Sequence, residues 1–372
     1  AVVLPVTLLL IDYFEQRKFD KKVVIEKLPH FAIAVAFGIR SMIDQRAFGS
    51  LIAESQVYNA VERIGLGGYA FVTYLWKAIV PAGLSCFYPY PDKVDGVLPF
   101  VYYLYPLAII AVATLIWKFA RKNRVVIFGS LFFLVNIVLL LQFIPVGGAI
   151  VADRYSYIAY LGLFFIAGWV VSELYKPGIK TKWGVVAAGI TLIYCCALGY
   201  LSNERCKVWY DTTSLWKDEI EKEPLRAPNA YNNLGFNYFN KFNESVNQAE
   251  RKLYYDSSFY YLNKAIEIAP TFVNSYISLG ELQRTVGNYA AAKSHYYRAL
   301  SLKAGDEDAN AYLGLAIIYA INRNADSAGF CFKEALRLKP YFPEAHSNYG
   351  NFLNMTGRYD ESLVEYGVAI RQ

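Results

Sequence analysis

Apolar positions along this chain follow two different patterns, which exchange near residue 201. Over residues 1–201 they form long runs: Ala1–Phe14, Leu28–Ile43, Val97–Ala120, Val125–Val146, Tyr155–Tyr175 and Trp183–Leu201. Hydrocarbon cannot satisfy exposed backbone groups, so a run of about 20 apolar residues predicts a bilayer-spanning helix. The last four runs meet that length. Leu28–Ile43 is shorter and carries Arg40 near one end, where the side chain can snorkel to the interface. Ala1–Phe14 reads as the tail of a sixth span. The chain opens inside that run and stops at Gln372 partway through a repeat, so it reads as a piece of a longer protein.

Loop charge gives these spans a direction. EQRKFDKKVVIEK carries Arg17, Lys18, Lys21, Lys22 and Lys27, KFARKNR carries Lys118, Arg121, Lys122 and Arg124, and KPGIKTK carries Lys176, Lys180 and Lys182. The intervening loops are poor in Lys and Arg for their length. The positive-inside rule puts the three basic loops in the cytoplasm and everything after Leu201 on the far side. That side is the periplasm of a bacterial inner membrane, with the lumen of the endoplasmic reticulum as the alternative. In the second case Asn243 and Asn354 head N-glycosylation triplets. Within residues 44–96, apolar residues recur at helical spacing with Tyr, Trp and Lys between them. An amphipathic helix on the outer membrane surface is expected there, with Tyr69, Tyr74 and Trp76 in the interfacial belt.

From Asn229 the pattern repeats about every 34 residues, the period of tetratricopeptide (TPR) helix pairs. Tyr231, Leu234, Gly235, Tyr238, Leu262, Ala265 and Pro270 form the first unit, with extra residues around NKFNESVNQAERK expected as a lengthened first helix or turn. Tyr276, Leu279, Gly280, Ala292, Tyr296 and Ala299 form the second, with Ala304 where Pro is usual. The third has Tyr312, Leu315, Ala316, Tyr319, Ala328, Phe332, Ala335 and Pro340. His346, Tyr349, Gly350, Gly357, Ser362, Tyr366 and Ala369 mark the fourth. Small residues let paired helices approach while aromatics fill the gap to the next pair, so the units must stack. The fold class expected is all-α: a polytopic transmembrane bundle over 1–201, a connector over 202–228 and a TPR α-solenoid over 229–372. Asn233, Asn237, Asn274, Asn310 and Asn348, with Asn232, Asn240 and Asn351, lie near the first helices of the units. They either hydrogen-bond an extended peptide on the concave face or are solvated polar positions. His346 reads as a packed surface histidine.

Composition supports the split. The hydrophobic fraction is 55%, charged residues are 18% and mean hydropathy is +0.24, high for a soluble protein. The net charge of +6 sits in clusters between apolar runs, which marks topology and excludes a nucleic-acid stripe. Five cysteines show no CxxC or Cys/His spacing, so metal binding has no support. Cys195 and Cys196 fall inside an apolar run. A Cys86–Cys206 disulfide is open if that side is oxidising.

No GxGxxG, P-loop, GxSxG or HExxH pattern occurs, and the histidines His30, His295 and His346 are scattered. One short outer loop remains, PVGGAIVADRYSYIAYLG, which puts Asp153 and Arg154 after Gly147 and Gly148 and at the mouth of a span. They serve either as an interfacial anchor or a contact to ordinary lipid phosphate, or as bidentate recognition of the phosphate of a lipid-linked donor.

YLWKAIVPAGLSCFYPYP, then ADRYSYIAYLG, then RCKVWYDTTSLWKDEIEKEPLRAPNAYNNLG leading into the repeats resembles GT-C type polytopic membrane glycosyltransferases with TPR tails. Bacterial TPR membrane proteins and the eukaryotic TMTC O-mannosyltransferases are of this kind. The resemblance rests on segment order over nearly the whole chain. It implies transfer of a sugar from a polyprenyl-phosphate donor to protein acceptors on the extracytoplasmic side, with the repeats holding the acceptor. It further implies a catalytic acid in an outer loop upstream of Ala1, so no residue here is assigned that role, Asp44 and Glu54 included. A nearby divalent cation or Arg would stabilise the departing lipid phosphate. By position Arg154 contacts the donor phosphate, and Lys77 and Tyr88 flank the cavity with Asp153. The competing expectation is a non-enzymatic scaffold whose repeats recruit envelope proteins.

Overall fold

The computed structural model describes residues 2–47, 58–141, 143, 149–174, 181–302 and 305–372. Gly147, Gly148, Glu54, Lys176, Lys180, Ala304 and the Asp44 and Lys182 side chains lie outside what is described. The chain is all-α, with sixteen α-helices and one two-stranded sheet among the described residues. It divides into two compact units between Tyr210 and Asp211.

The first unit holds α1 (Leu4–Phe14), α2 (Lys21–Ala47), α3 (Ala60–Ile79), α4 (Tyr105–Leu115), α5 (Arg124–Ile137), α6 (Tyr157–Leu174) and α7 (Thr181–Val208). A 3₁₀ turn before α4 and a π-helical turn after it make one continuous helical run, Phe100–Ala120. That run, Tyr157–Leu174 and Gly184–Val208 are the three helices long and apolar enough to cross a membrane among the described residues. Leu4–Phe14 and Arg124–Leu140 are apolar but shorter. The Leu28–Ile43 run lies inside α2, whose flanking turns are rich in charge. Six expected runs therefore yield three full-length apolar helices.

Glycines set how closely these helices pack. A Cβ on Gly129 would lie 2.4 Å from the Gly162 carbonyl oxygen, and one on Gly162 would lie 2.4 Å from that of Gly129. α5 and α6 thus cross backbone to backbone, as small residues at a helix crossing allow. Phe133 stacks on Tyr160, and Phe128 meets Phe165 edge-on. These pairs run in opposite order along the two helices, so α5 and α6 are antiparallel.

The α3 helix departs from the surface-helix expectation. Asn59 caps it, its side chain accepting from the Glu62 N–H at 3.0 Å while Glu62 accepts from the Asn59 N–H at 2.7 Å. Gly65, Gly67 and Gly68 then press against the backbone of Tyr102, Leu141 and Tyr105. Leu66, Phe71 and Tyr74 join Phe133, Ile137 and Ile150 in the core of this unit. Tyr74 is only 1% exposed, so it does not belong to an interfacial belt. Trp76 is exposed, and Tyr69 packs against Tyr102 and Tyr105. The reason is the glycine triplet, which gives α3 a bare face where other backbones fit.

The second unit opens with α8 (Thr212–Lys222), capped by Asp211, which accepts from the Ser214 N–H at 2.7 Å. Four helix pairs follow. They are α9 (Pro228–Glu244) with α10 (Gln248–Ile268), α11 (Val273–Thr285) with α12 (Tyr289–Ser301), α13 (Asp308–Ile321) with α14 (Ala325–Leu338), and α15 (Pro343–Met355) with α16 (Tyr359–Arg371). The extra residues of the first pair lengthen both helices rather than the turn. Asn247, Asn288 and Asn324 cap the second helices of the first three pairs. The turns before α12 and α16 use Gly287 and Gly357 at positive φ, where the turn before α14 strains Arg323 into the same region.

Tyr296 shows how the pairs lock. It is fully buried, between Gly280 of its own pair and Gly314 of the next. A Cβ on Gly280 would lie 2.5 Å from the ring, and one on Gly314 would lie 2.2 Å from it. The hydroxyl donates to Glu281 Oε1 at 2.5 Å, and Glu281 is paired with Arg284. Leu262 on Gly235 and Tyr366 on Gly350 repeat the device. Full burial of an apolar side chain such as Leu262 stabilises by about 1.5–3 kcal/mol.

Gly314→Val in the full chain should lower the thermal midpoint of the repeat unit by more than about 5 °C, as overpacking of this kind costs about 2 kcal/mol or more. Gly329→Ala, whose Cβ would meet only Phe352 at 3.8 Å, should move it by less than about 2 °C. Equal shifts in the two variants would show that the Tyr296 slot is not what limits packing.

Candidate functional site

In the first unit, the chain leaving α3 and the chain entering α6 meet in the short sheet of β1 (Tyr88–Pro89) and β2 (Ala149–Val151). This pairing brings Lys77, Tyr88, Asp153 and Arg154 into one neighbourhood although 77 residues separate the outer two. The Tyr88 hydroxyl is within 3.0 Å of both the Gly83 carbonyl oxygen and Asp153 Oδ1, and it accepts from the Ser85 N–H at 2.9 Å. Lys77 donates to the Ala82 carbonyl and, at 2.9 Å, to that of Gly83, and its ammonium lies 5.4 Å from the Tyr88 ring centroid. Burial, and then the negative charge of Asp153, push the Tyr88 phenol well above its ordinary range. Tyr88 is therefore a neutral hydrogen-bonding group and not a base.

Arg154 behaves differently. It is exposed, and it bonds neither to Asp153 nor to any other acid among the described residues. Nη1 donates to the Cys86 carbonyl at 2.7 Å, Nη2 to the Tyr155 hydroxyl at 3.3 Å, and the guanidinium lies over the Tyr155 ring at 4.8 Å. Two of five guanidinium N–H groups are thus used, and the rest can serve a bidentate anion. The anchor that pairs Asp153 with Arg154 is not formed. Asp153 faces Tyr88, and its own carbonyl accepts from the Ser156 hydroxyl at 3.0 Å.

Several neighbours carry no local signal in the sequence. The Tyr74 hydroxyl accepts from the Ala152 N–H at 3.3 Å, and the Tyr160 hydroxyl donates to the Tyr74 carbonyl at 2.8 Å. The positive charge of Arg205, near the end of α7, acts on the Tyr88 hydroxyl. Lys93 pairs with Glu62 at 2.9 Å. Burial opposes the Glu62 charge, but Lys93 and the Asn59 N–H outweigh it and hold the carboxyl below its usual range. Only the fold, through the β1–β2 pairing, brings such distant positions together. Cys86 is buried and Cys206 exposed, and both are free thiols. Among the described residues no group of three His, Cys, Asp or Glu could hold a metal ion.

In the second unit the asparagines part company. Asn237 Oδ1 accepts from the Thr213 hydroxyl at 3.1 Å, which ties it to α8. Asn274 donates to Glu307 Oε1 at 3.4 Å, and Asn348 donates to the Glu344 carbonyl of its own helix at 2.9 Å. Asn233 and Asn310, both half-buried, and the exposed Asn240 make no side-chain hydrogen bond among the described residues. Asn232 is the structural one: buried, it accepts from the hydroxyls of Ser275 at 3.2 Å and Ser278 at 3.3 Å, joining α9 to α11. His346 Nδ1 lies 2.5 Å from Glu365, a packed pair between α15 and α16.

The tetratricopeptide-repeat family model matches residues 273–306 and 309–342, the second and third helix pairs. No curated protein matches the chain. Among solved structures, the crystal structure of MamA is similar at 20% identity with a TM-score of 0.33, covering 42% of this chain and 84% of that one. The human IFIT1 dimer with PPP-AAAA is similar at 14% identity with a TM-score of 0.26, covering 73% of this chain and 74% of that one.

Tyr88→Phe removes a hydroxyl that serves three partners and should destabilise the first unit by about 1–3 kcal/mol, read as a lower unfolding midpoint in detergent. Tyr155→Phe, which loses one long bond to an exposed Arg, should cost less than about 0.5 kcal/mol. The reverse ranking would remove Tyr88 from the centre of this cluster.

Proposed function

We propose that this protein is anchored in a membrane, holds a protein partner on its repeats, and in its full length transfers a sugar from a polyprenyl-phosphate donor to that partner. TPR arrays generally bind proteins, and tandem repeats over 273–342 support that part of the reading. The three long apolar helices support membrane anchoring. Asn310 and Asn233, free of side-chain bonds, are the asparagines best suited to hydrogen-bond an extended peptide, with Asn274 beside them.

The observation that carries the transfer step is the state of Arg154. Its guanidinium is fixed by the Cys86 carbonyl and the Tyr155 ring but leaves N–H groups unspent. A cation positioned in advance lowers the cost of holding a phosphate whose charge grows as the sugar departs. Asp153 and Tyr88 shape that corner, Lys77 clamps the loop around Gly83, and none of them is assigned as the base. A divalent cation accompanying the donor would share the phosphate charge. The membrane scaffold remains the second reading, since partner binding by the repeats accounts for it without any transfer.

The test uses the full-length protein in proteoliposomes with a radiolabelled polyprenyl-phosphate sugar and an acceptor crosslinked through a photoreactive residue at Asn310. Arg154→Ala should cut transfer by about tenfold or more while the crosslink yield stays unchanged. Unaltered transfer would remove Arg154 from the mechanism. Crosslinking without transfer by the wild-type protein would leave the scaffold reading in its place.

A further inference from the structure

An apolar groove of about 350 Å³ runs between α3, α4, α5 and α6 in the first unit, lined among others by Phe71, Val112, Ile116 and Leu134. Its volume falls in the range of small-molecule sites, and its walls are almost wholly hydrocarbon. One end is different. There Arg121 lines the groove with Trp117, the guanidinium lying 5.1 Å from the indole centroid. Ile116 and Trp117, which line the groove, belong to the π-helical turn Ile116–Ala120, a departure from regular α-helix of the kind that frequently marks functional sites.

Basic residues predominate at that end. Lys118, Arg121, Lys122 and Arg124 are all exposed, and none forms an ion pair among the described residues. The sequence has no acidic residue between Asp95 and Asp153. Of the nearby acids, Asp12 is taken by Arg17 at 3.3 Å and Lys27 at 2.9 Å and Glu26 by Arg17 at 2.8 Å, and Glu15 and Glu173 leave the basic residues in excess. The antiparallel register of α5 and α6 puts this cationic end at the opposite end of the helix pair from Asp153 and Arg154. It is a separate place from the corner considered for transfer.

We propose that this groove binds an anionic phospholipid, with one acyl chain along the hydrocarbon walls and the phosphate held by Arg121 with Lys122 beside it. The inference rests on the membrane-anchored reading and not on sugar transfer. A hydrocarbon groove capped by unpaired cations fits a molecule that is apolar along its length and anionic at its head, and a bilayer supplies that molecule. Trp117 would sit at the level of the headgroups, where indole is favoured.

The full chain is reconstituted into vesicles of equal phosphatidylglycerol and phosphatidylcholine, floated, extracted in mild detergent, and its retained lipid quantified by mass spectrometry. Retained phosphatidylglycerol should exceed phosphatidylcholine by about fivefold or more, since each surface cation contributes on that order. Arg121→Gln with Lys122→Gln should return the ratio to that of the vesicles, whereas Arg121→Lys with native Lys122 should keep the excess. Ala113→Phe, which fills the groove, should lower retention of both lipids with helicity unchanged. Co-flotation with no excess in the wild type, or an excess that survives the double Gln variant, would overturn the groove while leaving the membrane reading standing. Failure to float with any vesicle would overturn both.

Discussion

Close approach of helix backbones is the constraint on which both units depend. Where the ring of Tyr296 fits between Gly280 and Gly314, a single added carbon on either glycine would overlap it. Where α5 crosses α6, the two glycines meet carbonyl to Cα with no side chain between. The chemistry of the two settings differs. In water, the slot buries an aromatic ring and draws on the hydrophobic effect. On the membrane-anchored reading proposed above, the α5–α6 crossing lacks that drive, and what remains is dispersion and the contact of polar backbone edges. Glycine serves both because the limit is steric, whatever the solvent.

The same device explains why the repeats were legible in the sequence and the first unit was less so. A Leu-Gly-aromatic signature recurring at a fixed period reports one packing solution several times, and the helix pairs fall where the spacing puts them. Residues 65–68 state a packing solution once. Apolar periodicity there predicts an amphipathic helix, and α3 is one, but periodicity cannot say that Gly65, Gly67 and Gly68 will be covered by protein backbone and Tyr74 sealed beneath. Helix length was likewise only partly readable, because hydropathy continues smoothly where Arg124–Leu140 stops short as regular helix.

The polar corner around Tyr88 illustrates a second limit. Lys77, Tyr88, Asp153 and Arg154 were identifiable as unusual residues near apolar runs, yet their partners were not. Adjacent charges of opposite sign suggest an ion pair, but backbone direction decides otherwise: Asp153 turns to the Tyr88 hydroxyl while Arg154 reaches the Cys86 carbonyl. Asparagine content was similarly ambiguous. Asn232 is spent on joining repeats and Asn237 on docking α8, while Asn233, Asn240 and Asn310 make no side-chain hydrogen bond among the described residues. Composition counts such residues alike, and only the neighbours separate them.

Sidedness joins these parts into one account, since a donor phosphate at Arg154 and an acceptor on the repeats must share a compartment. In the proposed account, three basic clusters, costly to translocate, put that compartment opposite the cytoplasm. Cys206 is exposed near the end of α7 and offers a native reporter. A membrane-impermeant maleimide applied to vesicles from a bacterial inner membrane should label Cys206 when the vesicles are right side out and spare it when they are inverted. Labelling confined to inverted vesicles would place the repeat unit in the cytoplasm and contradict the account.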